Sequence, residues 1–334
     1  MATIKDVALA AGVGVGTVSR VLNGTGYVSE DTRQKVWDAV HHFQYVPNGA
    51  ARSLVTKRTM AIGVVLHDLM NPFVPALARG IEEEARRQGY AMLVLDTDWQ
   101  TVNEVQAITL LRQQAVDGLI LVSPANASLL MNNLQDAGIP VVVVDHGEEG
   151  GTSHITVEHY AGAREALAWA KHQGHIHIGF LAGPRGLRFA DLRLRAYLDS
   201  IGRADIAAEE IDQHPDLPIA RADFRFEQGR TAAAALLQKH PEITCFFAAN
   251  DLSALGALQY LGQQKIAVPE QVAVIGFDDI FIASLVHPML TTVRQPIYDI
   301  GAAAARLLTQ HIRHPDDPIE QIVFQVELIV RESC

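Results

Sequence analysis

The 334-residue chain has only two cysteines, Cys245 and Cys334, and neither has a metal-ligand or redox spacing. Cys245 lies in a Cys-Phe-Phe-Ala run and is expected to be a buried core residue. No run of 18 or more apolar residues exists, which excludes a membrane-spanning helix. The N-terminus lacks a basic-plus-apolar signal segment, so the chain is expected to stay in the cytosol. His175-Ile-His177 and His41-His42 are not completed by a cysteine or carboxylate at ligand spacing, so no metal site is expected. No nucleophile motif has the context a catalyst needs, so neither an enzyme activity nor a cofactor is expected. Repeats and low-complexity segments are missing too. An excess of positive charge is also lacking, since the net charge is −11.

What is present is unevenly spread. Residues 1–60 hold seven Lys/Arg against four acids, giving +3, and the rest of the chain therefore carries −14. The basic part can approach phosphates, and the acidic part is repelled by them. In that basic part Ile4, Val7, Ala8 and Ala11 fall at helical spacing, as do Val18, Val21 and Leu22 after a glycine-bearing turn. Thr3 can cap the first helix, with Asp6 near its positive end. Two short helices joined so tightly suggest a helix-turn-helix, which lays its second helix in the DNA major groove. Gly12, Gly14 and Gly16 look like a dinucleotide-binding loop, but that loop follows a strand, and here the preceding stretch is helical. Ser29 reads as the N-cap of a third helix, Glu30 to about Phe43, with Val36, Trp37 and Val40 buried. Residues 48–54 form a short potential helix before a polar basic link.

From Ala61 onward the pattern is α/β. Apolar strand runs appear at 61–66, 91–95, 118–122, 140–144, 176–182, 244–248 and 272–276, and helical stretches such as 75–88 and 102–114 lie between them. Continuous apolar runs fit strands buried on both faces of parallel sheets. With 49% hydrophobic and 19% charged residues, the chain can bury a large core. About 270 residues of this pattern are too many for one small sheet, so two α/β lobes with a cleft between them are expected.

The whole chain resembles the lactose-repressor (LacI/GalR) family of bacterial transcription regulators. The resemblance rests on Thr-Ile-Lys-Asp-Val-Ala (3–8), Thr-Val-Ser-Arg-Val-Leu-Asn (17–23), Ala-Arg-Ser-Leu (51–54), Asn-Pro-Phe (71–73), Val-Asp-Gly-Leu-Ile (116–120), Ala-Asn-Asp-Leu-Ser-Ala-Leu-Gly-Ala (249–257) and Val-Ile-Gly-Phe-Asp-Asp (274–279). It implies a DNA-binding headpiece over 1–46, a hinge helix and linker over 47–60, and an effector-binding and dimerisation domain over 61–334. The lobes of that domain, similar to ribose-type periplasmic binding proteins, are expected at about 61–158 with 292–320 and 159–291 with 321–334. The resemblance also implies homodimers on pseudo-palindromic operators, and repression controlled by a small molecule, a sugar or sugar derivative, held between the lobes. The chain ends without a heptad tail, which favours a dimer.

Site residues carry over position by position. The resemblance puts Val15, Gly16 and Arg20 at base edges. Arg20 suits guanine O6 and N7, worth about 1–3 kcal/mol of discrimination, with a phosphate contact as its alternative. Thr17 and Ser19 fit phosphates, and Thr3, Asn23, Tyr27, Asn48, Ala51 and Arg52 complete the DNA-facing set. Leu54 corresponds to the family's minor-groove wedge. The effector set is Asn71, Phe73, Asp145, His146, Arg193, Phe224, Asn250, Asp278 and Gln295. Phe73 and Phe224 are expected to sandwich a sugar ring, while Asp145, Arg193, Asn250 and Asp278 grip hydroxyls. Either aromatic could instead belong to the core, and Asn250 or Asp278 could be a cap or turn residue. Glu158-His159 stands where relatives often carry Asp-Asn, which leaves an acidic or purine ligand open. The other reading of the whole is a transporter's sugar receptor. The basic headpiece and the missing signal segment oppose it.

Overall fold

The computed structural model describes residues 2–45, 58–124, 130, 134, 138–145 and 151–334. The chain divides into two compact units, Met1–Thr59 and Met60–Cys334.

The first unit holds three helices, α1 (Ile4–Ala11), α2 (Val15–Asn23) and α3 (Glu30–His42). Thr3 and Asp6 form a capping box at the start of α1, and Gly12 closes it in the left-handed conformation (φ 65°), which glycine adopts without a Cβ penalty. Val7, Ala8, Ala11, Val18, Val21, Val36, Ala39 and Val40 make the core. Trp37 was expected there, but it is 38% exposed and Ala39 is buried instead. Val36, Ala39 and Val40 stand at i, i+3 and i+4, and Trp37 lies a third of a turn away from that stripe. Ser29 occupies the N-cap position of α3, but its side chain makes no capping bond and its hydroxyl bonds Thr32 Oγ1 instead.

The second unit has two six-stranded sheets. In chain order the elements of the first lobe are β1 (Ala61–Leu66), α4 (Phe73–Arg87), β2 (Ala91–Asp96), α5 (Thr101–Gln113), β3 (Gly118–Val122), β4 (Val141–Val144) and β5 (Ser153–Val157). Then come α6 (His159–His172), β6 (Ile178–Ala182), α7 (Arg188–Ser200), β7 (Ile219–Arg221), α8 (Phe226–Lys239), β8 (Cys245–Ala248), α9 (Asp251–Gln263), β9 (Ala273–Asp278) and β10 (Thr291–Arg294). The chain finishes with α10 (Ile297–Arg313), β11 (Gln321–Phe324) and β12 (Glu327–Ile329). The sheet orders are β11-β5-β4-β3-β1-β2 and β12-β10-β9-β8-β6-β7. Every pairing is parallel except β10 with β12. β3, β6, β8 and β9 are buried along their whole length, as strands covered on both faces should be.

Hydrogen bonding corrects two of the expected lobe bounds. Residues 292–294, expected in the first lobe, pair with β9 and β12 of the second sheet. Residues 321–324, expected in the second, pair with β5 of the first. The chain therefore passes between lobes after β5, after β10 and after β11. The strand expected from Ile176 begins at Ile178, and Ile176 is exposed.

Glycines set the closest helix contacts. A Cβ on Gly80 of α4 would lie 2.2 Å from the Tyr298 carbonyl oxygen of α10, and one on Gly301 of α10 would lie 2.2 Å from the Leu77 carbonyl oxygen of α4. Backbone cannot yield as a side chain can, so Gly301→Ala should cost about 1–3 kcal/mol by overpacking. Chemical denaturation of the Gly301→Ala variant checks this, and an unchanged midpoint would mean that α4 and α10 part freely.

Candidate functional site

In the first unit, α2 exposes Val15, Gly16 and Arg20, and leaves Thr17 and Ser19 half-buried. Val18 and Val21 hold its other face in the core. The exposed face therefore carries the residues expected to read DNA, and Tyr27 beyond α2 is 93% exposed. The Arg20 stem passes near Gly26. Thr3 is occupied locally: its backbone N–H and hydroxyl donate to Asp6 Oδ2, and its oxygen accepts from the Asp6 N–H. Those bonds hold the Asp6 carboxyl below the usual carboxylate range. The Asn23 side chain and residues Asn48, Ala51, Arg52 and Leu54 lie outside the described residues.

In the second unit, the candidate cleft forms at the C-terminal ends of the strands. Parallel strands bring all these ends to one edge of each sheet, where α/β proteins bind ligands. Asn71 and Phe73 follow β1, Asp145 follows β4, Phe224 follows β7, Asn250 follows β8 and Gln295 follows β10, while Asp278 ends β9. With Arg193 of α7, all of these line one cleft enclosing at most about 300 Å³. His146 lies outside the described residues. His67, Ser123 and Phe189 also line the cleft, although the sequence reading did not include them. His67 and Ser123 directly follow apolar strands, and Phe189 is four residues before Arg193 on the same helix face. Those were the available signals.

The polar groups form one buried network. The Arg193 guanidinium sits 3.7 Å from the Phe277 ring centroid, a cation–π contact. One terminal nitrogen donates to the Ala249 carbonyl and lies 3.6 Å from Asp278 Oδ1. The other donates to His159 Nδ1 at 3.1 Å. Because burial lowers the His159 pKa, the ring is neutral. Nδ1 accepts from Arg193, so Nε2–H donates to Asp145 Oδ1 at 3.0 Å. His159 thus joins a carboxylate of the first lobe to a guanidinium of the second. Gln295 donates to Asp278 Oδ1 at 2.7 Å. Asn250 caps α9 through the Ser253 N–H, and its amide nitrogen donates to the Phe224 carbonyl.

Of the buried polar side-chain atoms without a hydrogen-bond partner among the described residues, three belong to cleft residues: His67 Nδ1, Arg193 Nε and Gln295 Oε1. All three residues line the cleft. Each unmet group costs about 1–3 kcal/mol, and one donor beside two acceptors suits a ligand bearing hydroxyls.

Burial raises the Asp278 carboxyl to about 7, against the pull of Arg193, and lowers His67 to about 4. A raised carboxyl binds its proton more readily when folded, so its contribution to stability is lost as pH rises through 7. The depressed His67 acts the other way, but its contribution is complete above pH 6.5. Thermal stability should therefore fall between pH 6.5 and 8, and Asp278→Asn should flatten that slope. Melting curves of the two proteins across this range decide it, and equal slopes would place the titration elsewhere.

A helix-turn-helix unit joined to a two-lobed unit with a polar, aromatic-walled cleft defines a DNA-binding regulator that senses a small molecule. The model for bacterial regulatory proteins of the lacI family matches residues 3–48, and that for a periplasmic binding protein-like domain matches residues 169–334. The ribose operon repressor of Halalkalibacterium halodurans is 34% identical over 100% of this chain and 97% of its own length. The chain belongs to the lacI family of transcriptional repressors. Among solved structures, the lac repressor dimer bound to operator and the anti-inducer ONPF matches with TM-score 0.87 and 27% identity, covering 99% and 98% of the two chains. A CelR–cellobiose complex matches at 0.74 and 30% over the whole of both chains. A family regulator from Enterococcus faecium with bound ribose matches at 0.72 and 26%, covering 82% and 98%.

Proposed function

We propose that this chain represses transcription in the bacterial cytoplasm as a homodimer on a pseudo-palindromic operator, and that a sugar or sugar derivative between its lobes sets its operator affinity. The three unpartnered cleft atoms carry the effector half of this reading. Sugar hydroxyls both donate and accept, so two of them can serve Arg193 Nε, His67 Nδ1 and Gln295 Oε1. The cleft rings supply the apolar face that sugars also need. The ribose-bound and cellobiose-bound relatives support the sugar class.

In the DNA half, Arg20 reads a base edge from the exposed face of α2 and Val15 packs on a thymine methyl. Thr17 and Ser19 hold phosphates. The ligand acts only through its different affinity for the two lobe arrangements. A thermal-shift screen of pentoses, hexoses, their phosphates and nucleosides tests the ligand class. Stabilisation by nucleosides alone would replace the sugar reading with a purine or pyrimidine one.

A further inference from the structure

Trp99 belongs to the first lobe, in the turn between β2 and α5, yet it packs against the apolar core of the second. Its ring centroid lies 3.7 Å from that of His67, which lines the cleft. Across the lobes it lies 6.3 Å from Phe189 and 6.4 Å from Phe224, within reach of aromatic pairing. Those two rings are themselves stacked at 5.5 Å. The neighbouring residues repeat the link, since the Asp98 carboxylate is paired with the Arg225 guanidinium of the second lobe.

Both loops hold unusual backbone. Asp98 and Trp99 have φ of 47° and 58°, and Asp223 and Phe224 have 48° and 60°. Consecutive non-glycine residues in the left-handed region persist only where the surroundings hold them. Here the surroundings include the facing loop. Ring and ion pair together tie the two lobes at one end of the cleft that His67, Phe189 and Phe224 line.

We propose that Asp98 and Trp99 form a lid of the first lobe that closes on Phe189, Phe224 and Arg225 of the second and limits the cleft to a ligand of one sugar ring. This rests on the sugar reading above for the identity of the ligand, but not for the closure itself. Trp99 covers the outer side of His67, 3.7 Å away between ring centroids, and the Asp98–Arg225 pair ties its turn to the second lobe.

Two measurements on the full chain test the lid. In the first, D-ribose and cellobiose are titrated by calorimetry into wild type and Trp99→Ala. Loss of the ring should weaken D-ribose and reduce the preference for D-ribose over cellobiose at least tenfold. An unchanged preference overturns the proposal. In the second, amide hydrogen exchange is followed without added sugar in wild type and Arg225→Ala, a substitution at a half-exposed side chain that should not disturb folding. Exchange at residues 97–100 should rise at least tenfold, and unchanged protection there overturns the lid. If wild type binds neither sugar, the sugar reading fails, and the exchange result alone decides whether the lid exists.

Discussion

Arg193→Met abolishes the response to effector while leaving operator binding measurable. Arg193 is 2% exposed and holds three groups at once: the Ala249 carbonyl, His159 Nδ1 and the Asp278 carboxylate. Methionine can still lie against Phe277, so the volume is largely kept. What is lost is the only cation among these buried partners, together with the unpartnered Nε that faces ligand in our reading. Losing a hydrogen bond from a charged group to the ligand costs about 1.5–3 kcal/mol, which corresponds to at least a tenfold loss of effector affinity. Arg193→Lys should fail almost as completely, because an ammonium cannot serve His159 and Asp278 in one plane. The residues of α2 are untouched, so the affinity for DNA without effector should stay within a few fold of wild type. Calorimetry with the effector, beside fluorescence anisotropy with the operator, reads the two effects separately. A variant that still responds at wild-type effector concentrations would remove Arg193 from the site.

Arg20→Ala has the second large effect. Its side chain is exposed on α2, beside Val15 and Gly16, of which only Val15 offers a side chain. Sequence reading through so few groups makes each of them costly to lose. A bidentate contact to guanine discriminates by about 1–3 kcal/mol, and in the proposed homodimer two headpieces on two half-sites double that. Binding to the preferred operator should fall by about thirtyfold or more, and one base position in each half-site should lose its preference. Enrichment from random DNA, followed by anisotropy on the enriched sequence and on its single-base variants, measures both. If Arg20 touched only phosphate, binding would weaken equally on every sequence and the salt dependence would fall by about two charges, one from each headpiece. That pattern would move the reading of sequence elsewhere on α2.

Much of this arrangement was legible in the sequence, for identifiable reasons. The helices of the first unit announce themselves through local signals: the Thr3–Asp6 cap, the glycine at position 12, and valines at helical spacing. Long apolar strands such as β3 and β9 do the same. The strands that escaped notice are short or polar at alternate positions. Ser-His-Ile-Thr-Val of β5 and Thr-Thr-Val-Arg of β10 have no continuous apolar run. β11 and β12 are separated by two residues yet belong to different sheets, which only long-range pairing can decide. That is why two lobe bounds were misplaced.

The cleft shows the same division. The resemblance gathered Asn71, Phe73, Asp145, Arg193, Phe224, Asn250, Asp278 and Gln295 into one set, and they line one cleft. His67, Ser123 and Phe189 also line it, and the resemblance gave no role to those positions. Trp99 was missed for a further reason, since its contacts lie across the cleft on the other lobe and no local pattern encodes them. His159 stood out only as a departure from the family's usual pair. In the fold it is the hydrogen-bonded link between Asp145 and Arg193.

The central claim is that a sugar in this cleft changes operator affinity. It is tested by measuring the dissociation constant for the enriched operator at rising concentrations of the sugar that stabilises the protein best. The account predicts a shift of about tenfold or more, within the usual range of allosteric coupling, and no shift in the Arg193→Met variant. An operator affinity that stays constant while calorimetry shows the same sugar bound to wild type would contradict it.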